Sequence, residues 1–391
     1  MSSKSSLASA ESATRARYSA AAIASEAALC CPVDYDPQYL KAIPSEVIEK
    51  DYGCGDPSKH LNPGETVLDL GSGTGKICFI ASQVVGPEGK VIGVDMTDDM
   101  LEVARRNAPI VAGNIGHSNV EFRKGRIQDL GLDLELLDEE LRKNPIADAN
   151  AYIAADGIAA RLRDAKPLIA SDSIDVVVSN CVLNLVETRL KKQLFEEIFR
   201  VLKNGGRAVI SDIVSDEEIP LHLQDDPYLW SGCISGAYTE EGFLKAFADA
   251  GFYGIEILKR DDAPWQTVEG IEFRSVTVQA WKGKQGPCFE RNQAVIYNGP
   301  FLKILDDDGH AMERGKRYAV CDKTFQLYQR LPYKSHFSFI EPLTGIPPEE
   351  AKPFDCQAGR ERHPKETKGQ DCRATTAAAN CVTGGDGAAC C

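Results

Sequence analysis

Apolar runs alternate with amphipathic stretches along the first 285 residues of the chain. Short continuous apolar runs bounded by glycine, proline or charged residues are typical of buried parallel strands, and helical spacing between them predicts helices. Strands are predicted at 66–68, 90–94, 120–122, 173–180, 207–212, 254–260 and 273–281. This order predicts an α/β fold, with a doubly wound, mostly parallel sheet covered by helices on both faces and an antiparallel hairpin at one edge.

Turn residues and changes of composition set the expected limits of the elements. Pro109 is expected to end the helix that follows the second strand, because proline cannot donate the helical hydrogen bond. The acidic, alanine-rich stretch 133–170 has leucines at helical spacing and is interpreted as an insertion. Beyond residue 286, short strands predict a small, mostly β domain, and the polar stretch from 356 onward is expected to be disordered.

Composition narrows the kinds of partner. The 391 residues carry a formal net charge of −14, which argues against a nucleic-acid or anionic-membrane surface. No stretch approaches the roughly 20 apolar residues of a membrane span, and no secretory signal is recognisable. We therefore expect a cytoplasmic protein with a small partner and no nucleic acid or membrane. The 13 cysteines do not fit a secreted disulfide framework, because the chain is long and spreads them widely.

A glycine-rich turn follows the first predicted strand and opens a helix. Its spacing is G-x-G-x-G from Gly71 to Gly75, whereas the dinucleotide fingerprint requires a glycine at the position of Lys76. Asp69, directly before the glycines, would repel a pyrophosphate but could pair with a cationic amine. Asp95 ends the second strand, where an acid can accept hydrogen bonds from a ribose diol. These features predict a nucleoside cofactor with an amine rather than NAD.

Three cysteines are expected to meet at the edge of the sheet where ligands bind. Cys181 follows the fourth strand, Cys233 lies in a loop after the fifth, and Cys54 precedes the first on an exposed Gly-Cys-Gly turn. Taken singly, each cysteine is more often a small buried core residue. Three cysteines brought together could bind a soft metal or metalloid ion, because thiolates prefer such ions. Zinc is one alternative, although the folded part has no C-x-x-C pair, and trivalent arsenic is another, because it is three-coordinate and keeps a lone pair.

Several motifs together resemble the arsenite S-adenosylmethionine methyltransferases of eukaryotic and algal type. The motifs are DYGCG (51–55), LDLGSGTG (68–75), GVDMT (93–97), SNCVLNL (179–185), LWSGC (229–233) and VIYNG (295–299). The resemblance implies a class I methyltransferase, Rossmann-like fold and methyl transfer from S-adenosylmethionine to thiol-bound arsenic(III), a detoxification reaction. Arsenite or its glutathione complexes would be the substrate.

The resemblance also implies a role for each matching residue. Cys54, Cys181 and Cys233 would bind arsenic, Cys30 or Cys31 would be the redox partner of Cys54, and Tyr52 would shape the pocket. The cofactor set would be Asp69, Gly71, Ser72, Gly73, Thr74, Gly75, Asp95, Met96, Ile127 and Asn180. The family cycle implies a thiol reductant, glutathione or thioredoxin, and no metal cofactor; we expect a monomer.

With the resemblance, the domains can be given functions. The expected divisions are a flexible arm with Cys30 and Cys31 (1–40), an S-adenosylmethionine-binding domain (41–218), an arsenic-binding region that completes the sheet (219–285), a small C-terminal domain (286–355) and a disordered tail with cysteines (356–391).

One departure from the family pattern follows the glycine turn, because Lys76-Ile77 occupies the place where the family commonly has Arg-Asp. Alternative functions are a C- or O-methyltransferase of a small apolar substrate and a thiol-rich metalloid-sequestering protein.

Overall fold

The computed structural model describes residues 7–23, 26, 33–50, 52–356 and 359–368, with residues 7–10 described in backbone only. Two compact units divide the chain, the first spanning Met1–Gly283 and the second Lys284–Cys391. Within the described ranges, no helix combines the length and the apolarity that crossing a membrane requires. Cys30 and Cys31 lie outside the described residues.

A single large sheet forms the centre of the first unit. Its strands are β1 (Thr66–Leu70), β2 (Lys90–Asp95), β3 (Val120–Lys124), β4 (Ile174–Asn180), β5 (Leu202–Ser215), β6 (Tyr238–Thr239), β7 (Tyr253–Arg260), β8 (Gln266–Val268) and β9 (Ile271–Trp281). The main path has the order β3-β2-β1-β4-β5-β9-β7. Strands β1 to β5 are parallel, and β9 pairs antiparallel with both β5 and β7. The expected α/β sheet with an antiparallel pair at one edge is therefore confirmed.

Helices cover both faces of this sheet. They are α1 (Leu7–Ile23), α2 (Pro37–Leu40), α3 (Ser45–Glu49), α4 (Lys76–Val85), α5 (Asp98–Ile115), α6 (Leu134–Lys143), α7 (Ala149–Ala165), α8 (Lys191–Val201), α9 (Leu221–Gln224), α10 (Pro227–Ser231) and α11 (Glu240–Asp249). Two apolar clusters form the core, one on each side of the sheet; Val177 belongs to the first and Val178 to the second. This alternation explains why β4 reads as a continuous apolar run, since neighbouring side chains enter opposite layers.

The prediction that Pro109 ends its helix is wrong. Helix α5 runs on to Ile115 with Pro109 inside it and ends at Gly116, whose φ is 82°. One missing hydrogen bond is tolerated because the following turns still pack, with Val111 fully buried against the core. The predicted loop around residue 230 also differs, since Asp226 caps the short helix α10 there.

The prediction of a flexible N-terminal arm is wrong for residues 7–23. Helix α1 packs against the rest of the first unit, with Ala21 and Ala22 buried. The ring of Tyr18 meets the ring of Tyr52 edge-on at 6.1 Å, and Arg17 donates a 3.0 Å hydrogen bond to the hydroxyl of Ser231. Small alanines allow this close approach, so the Ala-rich composition reflects helix packing rather than disorder.

The second unit consists of short strands around two small helices. Its elements are β10 (Phe289–Glu290), β11 (Ala294–Tyr297), β12 (Lys303–Leu305), β13 (Ala311–Glu313), β14 (Arg317–Ala319), α12 (Asp322–Tyr328), β15 (Phe337–Ile340), β16 (Lys352–Pro353) and α13 (Pro364–Lys368). The central three-stranded sheet has the order β14-β11-β15. A mostly β unit was expected here.

The expectation of disorder from residue 356 onward is wrong for residues 359–368. Arg362 is buried and pairs with Glu290 at 2.7 Å, and Glu361 forms a β-bridge with Tyr318. A buried guanidinium is stable only when it is paired, so this contact anchors the segment and the helix α13 that follows it. Arg362 also pairs with Glu366 at 3.2 Å, so the polar residues of this segment hold it in place through ion pairs.

Candidate active site

The glycine-rich turn joins β1 to α4 and curves around the end of β2. Gly71, Gly73 and Gly75 all have positive φ, at 71°, 51° and 92°, which explains the glycine at every second position. The amides of Gly71 and Ser72 both donate to the carbonyl of Val94, at 2.8 and 3.1 Å. The turn is therefore held against β2, next to the carboxylate of Asp95.

Asp95 organises the neighbouring backbone. Its two carboxylate oxygens accept hydrogen bonds from the amide of Gly73, at 2.9 Å, and from the amide of Thr97, at 2.8 Å. Burial raises the pKa of Asp95, and the two amides oppose that effect by stabilising the charged form. Each carboxylate oxygen has a second lone pair, so Asp95 can still accept hydrogen bonds from a ligand.

A cavity with about 1120 Å³ of empty space, part of it open to solvent, lies above this turn. Its lining joins the glycine turn and Asp95 to the end of β4, the edge of the sheet where ligands bind in folds of this kind. The sequence-predicted residues that line it are Tyr52, Asp69, Gly71, Ser72, Gly73, Thr74, Asp95, Met96, Ile127, Asn180 and Cys181. Gly75 lies outside this lining and begins α4 instead.

Two buried hydroxyls in the lining fit a polar ligand. Ser72 Oγ and Thr14 Oγ1 are buried, and neither has a hydrogen-bond partner among the described residues. Because an unpartnered buried hydroxyl is costly, both oxygens are ready to bond a molecule in the cavity. The lining also offers the buried carboxylate of Asp69, to which the Cys78 thiol donates at 3.2 Å. The residues present therefore suit an amine-bearing nucleoside such as S-adenosylmethionine.

Cys54, Cys181 and Cys233 belong to one buried apolar cluster, and Cys181 also lines the cavity. The thiol of Cys233 donates to the carbonyl of Cys181 at 3.2 Å. Cys54 was expected on an exposed turn, and that prediction is wrong, because only 2% of the residue is exposed. The three residues thus share one buried cluster, and of the three only Cys181 reaches the cavity lining.

The amide of Asn180 ties the Cys54 segment to the sheet. Its Oδ1 accepts from the backbone amides of Cys54 and Gly55, at 2.9 and 3.0 Å, and its Nδ2 donates to the carbonyl of Gly55 at 2.8 Å. A Cβ on Gly53 would lie 2.1 Å from Nδ2 of Asn180. The two glycines therefore allow close packing, and the turn is buried for the same reason.

Cys181 and Cys233 share an uncommon backbone conformation. Their φ values are 64° and 63°, in the left-handed region that non-glycine residues seldom occupy. Each costs about 1 kcal/mol, and such strain persists where the surrounding structure fixes it and where it serves a site. The pair of strained cysteines, one after β4 and one after α10, supports a functional role for both.

The surroundings of Cys54 and Cys181 favour the protonated form of these two thiols. The pKa of Cys181 is raised well above its ordinary value, first by hydrogen bonding with Cys233 and Cys54 and then by burial. Burial also raises the pKa of Cys54. Neutral thiols can lie close together without charge repulsion, whereas three free thiolates could not.

A buried charged network supports the loops that carry Cys181 and Cys233. Asp212 accepts hydrogen bonds from the amide of Leu183 at 2.9 Å and from Nδ2 of Asn184 at 2.8 Å. Nδ2 of Asn184 also donates to the carbonyl of Cys233 at 3.3 Å. Burial raises the pKa of Asp212 to about 6 and lowers that of Lys191 to about 8, and the attraction between the two charges opposes both shifts.

Replacing Asp212 by asparagine is expected to lower the free energy of unfolding by about 3 kcal/mol, because an amide nitrogen would face N–H donors and Lys191 would lose its counter-charge. Urea unfolding of the full chain measures this loss. The control is Asp216→Asn, since Asp216 is exposed and its Oδ1 accepts a hydrogen bond from the amide of Glu272 at 2.9 Å. Equal losses in both variants would contradict a supporting role for Asp212.

Helix α1 brings residues to the site that the sequence reasoning missed. Thr14 and Tyr18 line the cavity. Burial raises the pKa of Tyr18 well above its ordinary value, and the thiols of Cys233 and Cys181 raise it further. The detectable signal was the spacing of Thr14, Tyr18, Ala21 and Ala22, which places all four on one helix face.

The unusual residues after the glycine turn occupy two different environments. Ile77 lines the cavity, whereas the ammonium of Lys76 lies 3.9 Å from the ring centre of Tyr35. The hydroxyl of Tyr35 accepts a hydrogen bond from Nδ2 of Asn180 at 3.2 Å. Lys76 therefore belongs to the packing behind Cys54, outside the cavity lining.

Two known protein families and a solved structure are similar to this chain. A methyltransferase domain family matches residues 61–251, and a family described as a domain of unknown function matches residues 284–372. The structure resembles the X-ray structure of CrArsM, an arsenic(III) S-adenosylmethionine methyltransferase from Chlamydomonas reinhardtii. That match has a TM-score of 0.54 and 26% identity, and it covers 83% of this chain and 100% of the other.

Curated relatives cover most of the chain as well. Over 327 residues it is 33% identical to the arsenite methyltransferase of Aquipseudomonas alcaligenes, which covers 80% of this chain and 84% of the relative. It is 29% identical over 317 residues to the arsenite methyltransferase of Homo sapiens, covering 78% of this chain and 74% of that relative. The similarity extends through both units.

Proposed function

Since the chain belongs to the arsenite methyltransferase family, we propose that it transfers methyl groups from S-adenosylmethionine to trivalent arsenic bound by Cys54, Cys181 and Cys233. The observation that carries this proposal is the position of Cys181, which lies in the buried thiol cluster and also in the lining of the cavity above the glycine turn. Methyl transfer requires the arsenic ligands and the methyl donor to lie next to each other, and Cys181 connects the thiol cluster with the cavity.

The residues of the glycine turn and β2 would hold the methyl donor. Asp69, Gly71 and Gly73 would contact its methionyl part, Asp95 and Met96 its ribose, and Ile127 its adenine. When bound, S-adenosylmethionine supplies an electrophilic methyl group on a sulfonium sulfur.

The remaining cavity residues would shape and support the site. Gly75 begins α4, the side chain of Asn180 fixes the Cys54 turn, and Tyr52 lines the cavity beside Tyr18. Ser72 and Thr74 line it next to the glycines. Tyr52 donates a 3.0 Å hydrogen bond to the carbonyl of Ala21, which closes α1 over this part of the lining.

The thiols would prepare arsenic as a nucleophile. Arsenite exchanges its hydroxyl groups for thiols, and each thiol proton leaves with a hydroxyl group as water. The three As–S bonds leave a lone pair on arsenic, which can form the As–C bond while the methyl–sulfonium bond breaks. No proton leaves the nucleophile in that step, so positioning supplies most of the acceleration.

Arsenic binding is expected to quicken with rising pH. Because the pKa values of Cys54 and Cys181 lie above the ordinary value of 9, the thiolate fraction grows about tenfold per pH unit between about pH 6.5 and pH 8.5. Trp230 lines the cavity, so stopped-flow tryptophan fluorescence after mixing with arsenite measures the rate. A rate that is constant over this range would show that exchange does not depend on the raised pKa values.

Several finer features rest on the family resemblance alone. We propose that Cys30 or Cys31 pairs with Cys54 in a redox cycle, that glutathione or thioredoxin reduces the pair, and that the protein acts as a cytoplasmic monomer. Neither Cys30 nor Cys31 lies within the described residues. Mass spectrometry of the protein after turnover without reductant would identify the disulfide and its partner.

The test of the function is incubation of the full chain with arsenite, glutathione and S-adenosylmethionine, followed by arsenic speciation over time. Methylated arsenicals that accumulate only with the methyl donor are expected. Retention of arsenic without methylation would favour a sequestering protein. Consumption of the methyl donor on an apolar acceptor, unaffected by loss of the thiols, would favour a carbon or oxygen methyltransferase.

A further inference from the structure

A second group of three thiols lies in the C-terminal unit. The sulfur atoms of Cys288, Cys321 and Cys356 all lie within 4.8 Å of one another. Cys321 is fully buried, and Cys288 and Cys356 are half-buried. The three residues come from separate segments, so their approach is a product of the fold. None of them belongs to the cluster at the cofactor cavity.

Backbone pairing holds the two half-buried cysteines together. Cys288 directly precedes β10, which pairs with β16, and Cys356 follows β16 by three residues. The amide of Phe354 donates to the carbonyl of Cys288 at 2.9 Å. Loss of one thiol should therefore leave this ladder intact.

Cys321 is fixed by the start of α12. Its sulfur accepts a 3.4 Å hydrogen bond from the amide of Thr324 and lies 3.2 Å from the hydroxyl of that residue. The backbone amide is the donor in the first contact, and either atom could be the donor in the second. One sulfur of the group is thus held in position by the local backbone.

The set of donor atoms discriminates between soft ions. No histidine nitrogen or carboxylate oxygen from the described ranges joins the three sulfurs. Structural zinc sites are almost always tetrahedral with four protein ligands, so this set is one ligand short. Three thiolates and one trivalent arsenic form a neutral, pyramidal complex, whereas three thiolates and Zn²⁺ would leave a net charge in a half-buried site.

We propose that Cys288, Cys321 and Cys356 form a second arsenic(III) site, separate from the thiols at the cofactor cavity. This inference rests on the proposed function, because it takes arsenite as the ligand that the protein meets. Binding breaks three As–O bonds and forms three As–S bonds. Each thiol proton leaves with a hydroxyl group, so three water molecules are released and no oxidant or reductant is required.

The experiment uses the full chain with Cys54, Cys181 and Cys233 all replaced by serine, reduced with a phosphine. It is mixed with one equivalent of arsenite, desalted and analysed for arsenic per chain. We expect about one arsenic per chain. Adding Cys288→Ser or Cys356→Ser should weaken binding about tenfold or more, because each thiolate acts at high effective concentration. The matched control is Cys372→Ser, which should not change retention.

Several results would overturn the inference. One is arsenic retention that neither Cys288→Ser nor Cys356→Ser changes in chains with unaltered circular dichroism, and another is an equal loss of retention in Cys372→Ser. Stoichiometric zinc in the purified protein that arsenite does not displace, or a disulfide bond between two of the three cysteines, would also overturn it. Methylation by the native chain without retention by the triple variant would reject this site alone. Retention by the triple variant without methylation by the native chain would instead reject the proposed function.

Discussion

Replacing either Cys181 or Cys233 by serine is expected to lower the rate of arsenite methylation by about 100-fold or more. A hydroxyl oxygen is a hard, poor ligand for arsenic, and the remaining thiols would hold the ion loosely beside the cavity. The fold should survive, because a serine hydroxyl can still donate the hydrogen bond that Cys233 makes to the carbonyl of Cys181. Initial rates of methylated product at saturating arsenite measure the effect.

The control for these variants is Cys288→Ser, which removes a cysteine from the other unit. It should methylate at the rate of the native chain when arsenite is saturating. If both Cys181→Ser and Cys233→Ser kept the native rate, these thiols would not be the arsenic ligands. Circular dichroism of each variant separates loss of chemistry from loss of structure.

Replacing Gly71 by alanine is expected to weaken S-adenosylmethionine binding about 30-fold, which corresponds to about 2 kcal/mol. The new Cβ would lie 2.4 Å from Cγ1 of Val182, the residue after Cys181, so the turn and the cysteine loop could not keep their positions together. Calorimetric titration of the variant with the methyl donor measures the loss.

Gly86→Ala is the matched control for that experiment. Gly71 and Gly86 have the same φ of 71°, and Gly86 has a ψ of −174°, in a region almost restricted to glycine, so Gly86→Ala introduces backbone strain of its own. A Cβ on Gly86 would meet no described atom within 4 Å. Gly86→Ala should therefore bind the methyl donor normally, and equal weakening in both variants would show that backbone strain alone is responsible.

Local patterns in the sequence were sufficient for the sheet and the cofactor cavity. The apolar run of β4 and the glycines from Gly71 to Gly75 fix their own backbone, and strand order then brings Asp95 and Cys181 to one edge. The positions of all five parallel strands followed from such runs. Features that depend on residues close in sequence were therefore predictable.

The features that were missed depend on contacts between distant residues. Helix α1 is held by the edge-on contact between the rings of Tyr18 and Tyr52. The segment after residue 358 is held by the ion pair between Arg362 and Glu290. The alanine-rich composition of the first was compatible with either a helix or disorder, and the polar composition of the second favoured disorder, because it leaves few apolar residues to bury. Cys54 was expected to be exposed because glycines flank it, and such glycines often mark an open turn. In the structure the side chain of the distant residue Asn180 fills the space beside Gly53, so the turn is buried.

Arsenic binding by Cys54, Cys181 and Cys233 together is the central feature of the proposed site, and X-ray absorption at the arsenic edge identifies the ligand atoms directly. The sample is the full chain carrying Cys288→Ser and one equivalent of arsenite. Three sulfur neighbours are expected around arsenic, with one fewer after Cys54→Ser is added. Oxygen neighbours in place of sulfur, or a sulfur count that Cys54→Ser and Cys181→Ser both leave unchanged, would contradict the proposed site.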